Sequence, residues 1–359
     1  MGRVIMKTLL VMSTSGDKSI PQTKWQQPLG LAYIAACVRD ISDVSIIDCE
    51  VEDNYTKRLM DEINTDDQLV VGFSVNTYTY PRALELARIV KNIKPEAHIS
   101  FGGYHATPLA TQIITNRPFV DSVIRGDGEL PFRQLVTALS HNSDLSGVGS
   151  LTYRKDGHVF SNLDAPLPDL DSLAYPARDL LQLDKCFDNF KKTLIHKIYG
   201  ISRILFVSAN RGCPNECNFC SIFNKRFRKR EPSKIVDEFE HLIDIYKADS
   251  IYLVGDNLNL NKKMLLELCN NIITRGLNIK WICVTLEPMS IDREIADKMR
   301  HSGCVRATFG FESGSQEMLD SLNKKVSLDK AKKSIEILKR SGIDIVATFI
   351  LGSPGESEK

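Results

Sequence analysis

Arg211-Gly212-Cys213-Pro214-Asn215-Glu216-Cys217-Asn218-Phe219-Cys220 follows the apolar run Ile204-Leu205-Phe206-Val207 and precedes a helical pattern. The spacing is C-x3-C-x2-C. Three thiolates on one short loop can hold three irons of a cubane iron–sulfur cluster. Such clusters usually take four thiolates, and no fourth cysteine lies nearby, so one iron would be left open to a small molecule. A structural zinc site is the competing reading. Zinc wants four ligands, and the next candidates, His241 and Cys269, fall inside helical patterns. The spacing favours the cluster. Nine cysteines without a signal peptide argue against a disulfide framework and for a reducing, cytoplasmic setting.

The loop, with Phe219 just before its last cysteine, resembles the signature of radical S-adenosylmethionine (SAM) enzymes. The resemblance implies a [4Fe-4S] cluster on Cys213, Cys217 and Cys220, whose open iron chelates the methionine end of SAM. Reductive cleavage of SAM then yields a 5′-deoxyadenosyl radical. It also implies a partial or full β/α barrel with the cysteine loop after its first strand.

The second half has that rhythm. Strand patterns at 203–208, 250–254, 279–284, 305–310 and 344–350 alternate with helical patterns, and barrel sites sit at the carboxyl ends of strands. Gly255-Asp256-Asn257 follows the second strand, where the family carries a Gly-Gly-Glu turn that meets the SAM amino group, so the match is partial. Gly310-Phe311-Glu312-Ser313 resembles the ribose-binding motif, with Glu312 suited to two hydroxyls. A capping acid for the helix at 315–322 is the alternative for Glu312. Ile350-Leu351-Gly352-Ser353 resembles the adenine-binding segment. Cys269, Cys283 and Cys304 read as buried small apolar residues. Residues 201–359 fall short of the roughly 250 of a complete barrel. The expectation is an incomplete, truncated barrel with an exposed, association-prone edge.

Residues 1–145 also alternate between apolar strands and amphipathic helices. Five continuous apolar strands joined by crossovers predict a flavodoxin-like doubly wound parallel sheet. Its ligand would lie at the carboxyl ends, where Ser13, Thr14, Ser74, Thr77, Gly102, Gly103, His105, Gly126, Gly128 and Glu129 fall. No G-x-G-x-x-G follows the first strand, so nicotinamide binding lacks its main support. These turns, with Pro28-Leu29-Gly30 opening the first helix, resemble the cobalamin-binding domain that precedes many radical SAM domains. The D-x-H-x-x-G of methionine-synthase-type domains is missing. His105 reads as a loop-stabilising residue rather than a cobalt ligand. With only Cys37 and Cys49 in this half, a methylthiotransferase is disfavoured.

Residues 146–200 break the rhythm. Lys155-Asp156-Gly157 predicts a hairpin, and Pro166, Pro168 and Pro176 punctuate an irregular linker.

Hydrophobic residues make up 43%, charged residues 25%, and the net charge is +1. Neither nucleic acid nor an anionic membrane is called for, and no stretch approaches the ~20 apolar residues of a membrane span. The basic run Lys225–Arg230 reads as a solvated loop beside an anionic cluster, with a phosphate or acidic substrate as the alternative.

The expected activity is cobalamin-assisted radical methylation of an unactivated carbon in a small molecule or peptide, with flavodoxin or ferredoxin as electron donor. Radical cyclisation or rearrangement, or a non-catalytic cobalamin or redox sensor, are the alternatives.

Overall fold

Buried parallel strands are read from continuous apolar runs, and the runs of the first half do form such strands. The computed structural model describes residues 6–16, 23–222 and 224–357. It divides into two units, Met1–Asn189 and Phe190–Lys359.

In the first unit the strands are β1 (Met6–Met12), β2 (Asp43–Asp48), β3 (Gln68–Ser74), β4 (His98–Gly102) and β5 (Ser122–Ile124). Helices α1 (Leu29–Val38), α2 (Tyr55–Ile63), α3 (Tyr80–Ile93) and α4 (Ala110–Asn116) connect them, and α5 (Glu129–Ser140) follows β5. All five strands run parallel in the order β2-β1-β3-β4-β5. The order reverses between β1 and β3, the switch point where open α/β sheets bind ligands. Strand alternation sends Leu9, Val11, Val71 and Phe73 to a core shared with α2, α3 and α4. Met6, Leu10 and Val70 go to an opposite core with α1 and α5. Helices thus cover both faces, as a doubly wound sheet requires.

The hairpin expected in the linker forms, as β6 (Leu151–Lys155) and β7 (His158–Ser161). It is not free-standing linker. β6 pairs antiparallel with β5 and extends the first sheet to seven strands. Helices α6 (Leu183–Phe190) and α7 (Leu194–Tyr199) follow.

The second unit holds β8 (Ile204–Ser208), a small ribbon of β9 (Asn210–Arg211) and β10 (Arg228–Lys229), then α8 (Pro232–Tyr246) and β11 (Ser250–Val254). Next come α9 (Lys262–Thr274), β12 (Lys280–Leu286), α10 (Arg293–His301) and β13 (Cys304–Glu312). The last described elements are α11 (Gln316–Ser321), α12 (Leu328–Arg340) and β14 (Asp344–Phe349). The main strands are all parallel, in the order β14-β13-β12-β11-β8. Each new strand joins the same edge, which is the winding of a β/α barrel rather than of a doubly wound sheet. Helix starts are set locally. Pro232 opens α8, and the side chains of Asn261, Asp292 and Ser315 accept from the first turns of α9, α10 and α11. Cys269, Cys283 and Cys304 are fully buried, as expected, and burial pushes the Cys269 thiol up to about 12. None of the nine cysteines is disulfide-bonded.

Candidate active site

The cysteine loop hangs from the carboxyl end of β8 and is closed at its base by the β9–β10 ribbon. Arg230 anchors that base. Its guanidinium meets Glu238 of α8 at 2.5 Å and the Ser208 carbonyl at 3.0 Å, with both charged side chains buried. The basic run is therefore not simply a solvated loop: Arg228 and Lys229 are paired in β10, and Arg230 lies inside. Gly212 adopts φ +85°, and a Cβ there would stand 2.2 Å from the Arg226 carbonyl oxygen. Only glycine fits this turn.

The loop is held from three sides. The Gly212 amide donates to Asp256 Oδ2 at 2.6 Å. The Cys213 amide donates to the Asn224 carbonyl at 3.2 Å. Asn218 donates through its amide to Leu322 and through its side chain to Ser321, while Asn323 donates to the Glu216 carbonyl at 2.6 Å. Cys213 is buried, Cys217 and Cys220 are half-buried, and Phe219 is exposed. Burial pushes the Cys217 thiol up, and Lys324 draws it back down.

The turn at Gly255, Asp256 and Asn257 is clasped by the buried Asn210. Its Oδ1 accepts from the amides of Asp256 and Asn257 at 3.0 and 3.3 Å. Asn257 in turn points its side-chain amide at Cys213 Sγ, 3.9 Å away. Glu312 ends β13 in the left-handed region, φ +66°. It does not cap α11, since Ser315 does. Its carboxylate instead lies 3.6 Å from Lys324 Nζ, both side chains nearly buried. Ser313 follows, its hydroxyl accepting from the Ser315 amide. Ile350 donates to the Glu312 carbonyl at 2.9 Å, and the Gly352 amide donates to Glu356 at 2.5 Å. Gly255–Asn257, Glu312–Ser313 and Ile350–Gly352 thus all stand at carboxyl ends of strands of one sheet, β11, β13 and β14.

In the first unit the expected residues cluster at the carboxyl ends of β1, β3, β4 and β5. Ser13 and Thr14 are buried after β1, with Ser13 donating to the Thr79 carbonyl at 3.1 Å. Ser74 ends β3 opposite Gly102. Gly103 has φ +98°, and a Cβ there would stand 2.7 Å from the Val75 carbonyl oxygen, so the β3 and β4 loops touch backbone to backbone. His105 packs against Tyr80 in a tilted arrangement, ring centroids 4.3 Å apart, and bonds Thr77 Oγ1 through Nδ1 at 3.2 Å. The Gly126 amide donates to Thr107, Gly128 precedes α5, and Glu129 is buried in its first turn. Tyr78 and Tyr104 on the same loops are exposed.

Two family models match the sequence: the radical SAM superfamily over residues 207–359 and the B12 binding domain over residues 25–136. An uncharacterized methyltransferase of Pyrococcus horikoshii is 32% identical, over 99% of this chain and 76% of that protein. The chain belongs to the B12-binding radical SAM enzymes. This radical SAM chain is also 28% identical to the anaerobic magnesium-protoporphyrin IX monomethyl ester cyclase of Rubrivivax gelatinosus, over 92% of its own length and 60% of the cyclase. Its fold matches the cobalamin-dependent SAM radical enzyme OxsB with a TM-score of 0.79 at 17% identity, covering 97% of this chain and 49% of OxsB. It matches the methyltransferase TsrM of Kitasatospora setae with a TM-score of 0.77 at 16% identity, covering 98% of this chain and 68% of TsrM. The chain thus spans between about half and three quarters of these relatives.

Its cofactors are a [4Fe-4S] cluster, SAM and cobalamin. The residues present fit them. Among the described residues no three His, Cys, Asp or Glu side chains converge as ligands of a single metal ion. A cluster asks instead for one soft thiolate per iron, and the pinned loop presents three. The first-unit loops present the exposed Thr77 and the exposed rings of Tyr78 and Tyr104. That surface suits a broad macrocycle edged with amides.

Three residues of the second unit escape sequence reading. Asn210 clasps the turn at Gly255 and Lys324 pairs with Glu312, contacts that no spacing reveals. Glu287, directly after β12, stands at a strand's carboxyl end like the other expected residues. Burial pushes its carboxyl up, with Lys324 pulling it down and Glu312 pushing it further up.

Proposed function

We propose that this enzyme methylates an unactivated carbon of a small molecule or peptide. One observation carries the reading. A single chain holds both a cysteine loop with three thiols and a doubly wound unit whose switch-point loops are built from glycine, serine, threonine and exposed tyrosine. When bound, the cluster supplies the electron that cleaves SAM, and cobalamin serves as methyl carrier. Cys213, Cys217 and Cys220 hold the cluster; Phe219 flanks it. Gly255–Asn257, Glu312, Ser313, Ile350 and Gly352 hold SAM. Ser13, Thr14, Ser74, Thr77, Gly102, Gly103, His105, Gly126, Gly128 and Glu129 shape the corrin surface. His105, already engaged by Thr77 and Tyr80, steadies that surface. The electron donor is a flavodoxin- or ferredoxin-type protein, and nine unbridged cysteines suit the reducing cytoplasm.

The cyclase relatives favour a second reading, radical ring closure on the same scaffold. SAM carrying a deuterated methyl group separates the two. Methylation predicts S-adenosylhomocysteine alongside 5′-deoxyadenosine and a deuterated product. 5′-Deoxyadenosine without S-adenosylhomocysteine supports cyclisation and contradicts methylation.

A further inference from the structure

Glu287 belongs to none of the motifs that suggest the SAM pocket, yet the fold goes to some length to aim it there. It follows β12, the strand between β11 and β13. It therefore stands between the Gly255–Asn257 turn and Glu312. Its backbone is clamped by Asn259, which accepts from the Glu287 amide at 2.6 Å and donates to its carbonyl at 2.8 Å. Two residues earlier Thr285 has φ +65°. A β-branched residue is a true outlier there, and such strain costs on the order of 1–3 kcal/mol. The β12–β13 register slips between Cys283 and Leu286, and irregularities of this kind re-aim the side chains that follow.

The carboxyl so aimed has no structural task. Asp292, not Glu287, caps α10. Glu287 Oε1 is buried without a hydrogen-bond partner. A buried carboxylate oxygen without a partner is costly, and a positively charged group bound beside it offsets that cost. The neighbours narrow what that is. Lys324 is near enough to act on both Glu287 and Cys217, and Glu312 lies 3.6 Å from Lys324. A ligand reaching from the cysteine loop and the turn at Gly255 to Glu312 passes Glu287 midway. In SAM, the centre between the methionyl and ribosyl ends is a sulfonium, which is positively charged. We propose that Glu287 receives the sulfonium region of SAM. The assignment rests on the SAM-binding reading of this pocket.

The test is binding of SAM and of S-adenosylhomocysteine, which lacks the sulfonium charge, to the reconstituted chain. Glu287→Gln is nearly isosteric. It weakens SAM binding about tenfold or more, a loss well within the charge–charge attraction of a close pair in a partly buried site. It leaves S-adenosylhomocysteine binding within threefold and iron content unchanged. Glu287→Asp, which keeps the charge, loses less. A SAM Kd within twofold of the parent's in the Gln variant overturns the assignment, as do equal losses for both ligands or equal losses in the Asp and Gln variants. A parent chain that binds neither ligand overturns the SAM pocket itself, and the role of Glu287 with it.

Discussion

The Gly212 amide donates to the Asp256 carboxylate at 2.6 Å, tying the first turn of the cysteine loop to the turn after β11. A hydrogen bond to a charged acceptor is worth about 1.5–3 kcal/mol. Asp256→Ala is therefore expected to loosen the loop and lower the iron retained per chain after anaerobic reconstitution and desalting. Asp256→Asn, which keeps an acceptor, is expected to fall between. Parent-like iron content in the Ala variant would contradict this coupling.

Arg230 and Glu238 make the buried ion pair behind the loop. Removing one partner of such a pair leaves an uncompensated charge and costs about 3–5 kcal/mol. Glu238→Leu is expected to lower the urea midpoint sharply, and adding Arg230→Met is expected to recover much of the loss. A double variant no better than the single one would show that the pair has no such coupling.

Glu312 has a left-handed backbone in the middle of a proposed ligand site. Replacement by glycine normally weakens a strand by about 0.5–1 kcal/mol. At φ +66° that penalty is offset by relief of strain. Glu312→Gly is expected to keep the parent's thermal midpoint while weakening SAM binding about tenfold. Loss of stability with SAM affinity intact would reverse the assignment.

Asp48 and His98 set opposing pH dependences in the first unit. Burial pushes the Asp48 carboxyl up to about 7 and the His98 imidazole down to about 4. Between pH 4 and 7 native Asp48 keeps a proton that the unfolded chain has released, so its contribution falls as pH rises. Between pH 6.5 and 4 the unfolded chain takes up a proton that native His98 refuses, so its contribution falls as pH drops. At 1.36 kcal/mol per unit, this amounts to up to about 4 kcal/mol for Asp48 and about 3 kcal/mol for His98. Chemical denaturation at pH 4.5, 5.5 and 6.5 is expected to show Asp48→Asn gaining stability over the parent as pH rises, and His98→Gln gaining as pH falls. Two flat differences would mean that neither group is perturbed.

Much of this architecture is legible in the chain. Buried parallel strands are continuous apolar runs, and both units follow from them. The loops carrying Cys213, Gly255, Glu312 and Gly352 are legible because they end those runs. What escapes is set by distant partners. The β6–β7 hairpin is evident from Asp156-Gly157, but its pairing with β5 places Tyr153 against Ser122, far away in sequence. Arg230 looks like one more solvated charge until α8 brings Glu238 beneath it. Glu287 depends on a bulge and a strained threonine that alternation cannot foresee.

Everything proposed for the second unit depends on Cys213, Cys217 and Cys220 holding a cluster that cleaves SAM. The most direct test is to reconstitute the chain anaerobically with iron and sulfide, add SAM and a low-potential reductant, and measure 5′-deoxyadenosine. The parent is expected to release it, and Cys213→Ala, Cys217→Ala and Cys220→Ala are each expected to release none. A parent with a full cluster that leaves SAM intact, or cysteine variants that cleave it at the parent's rate, would contradict the account.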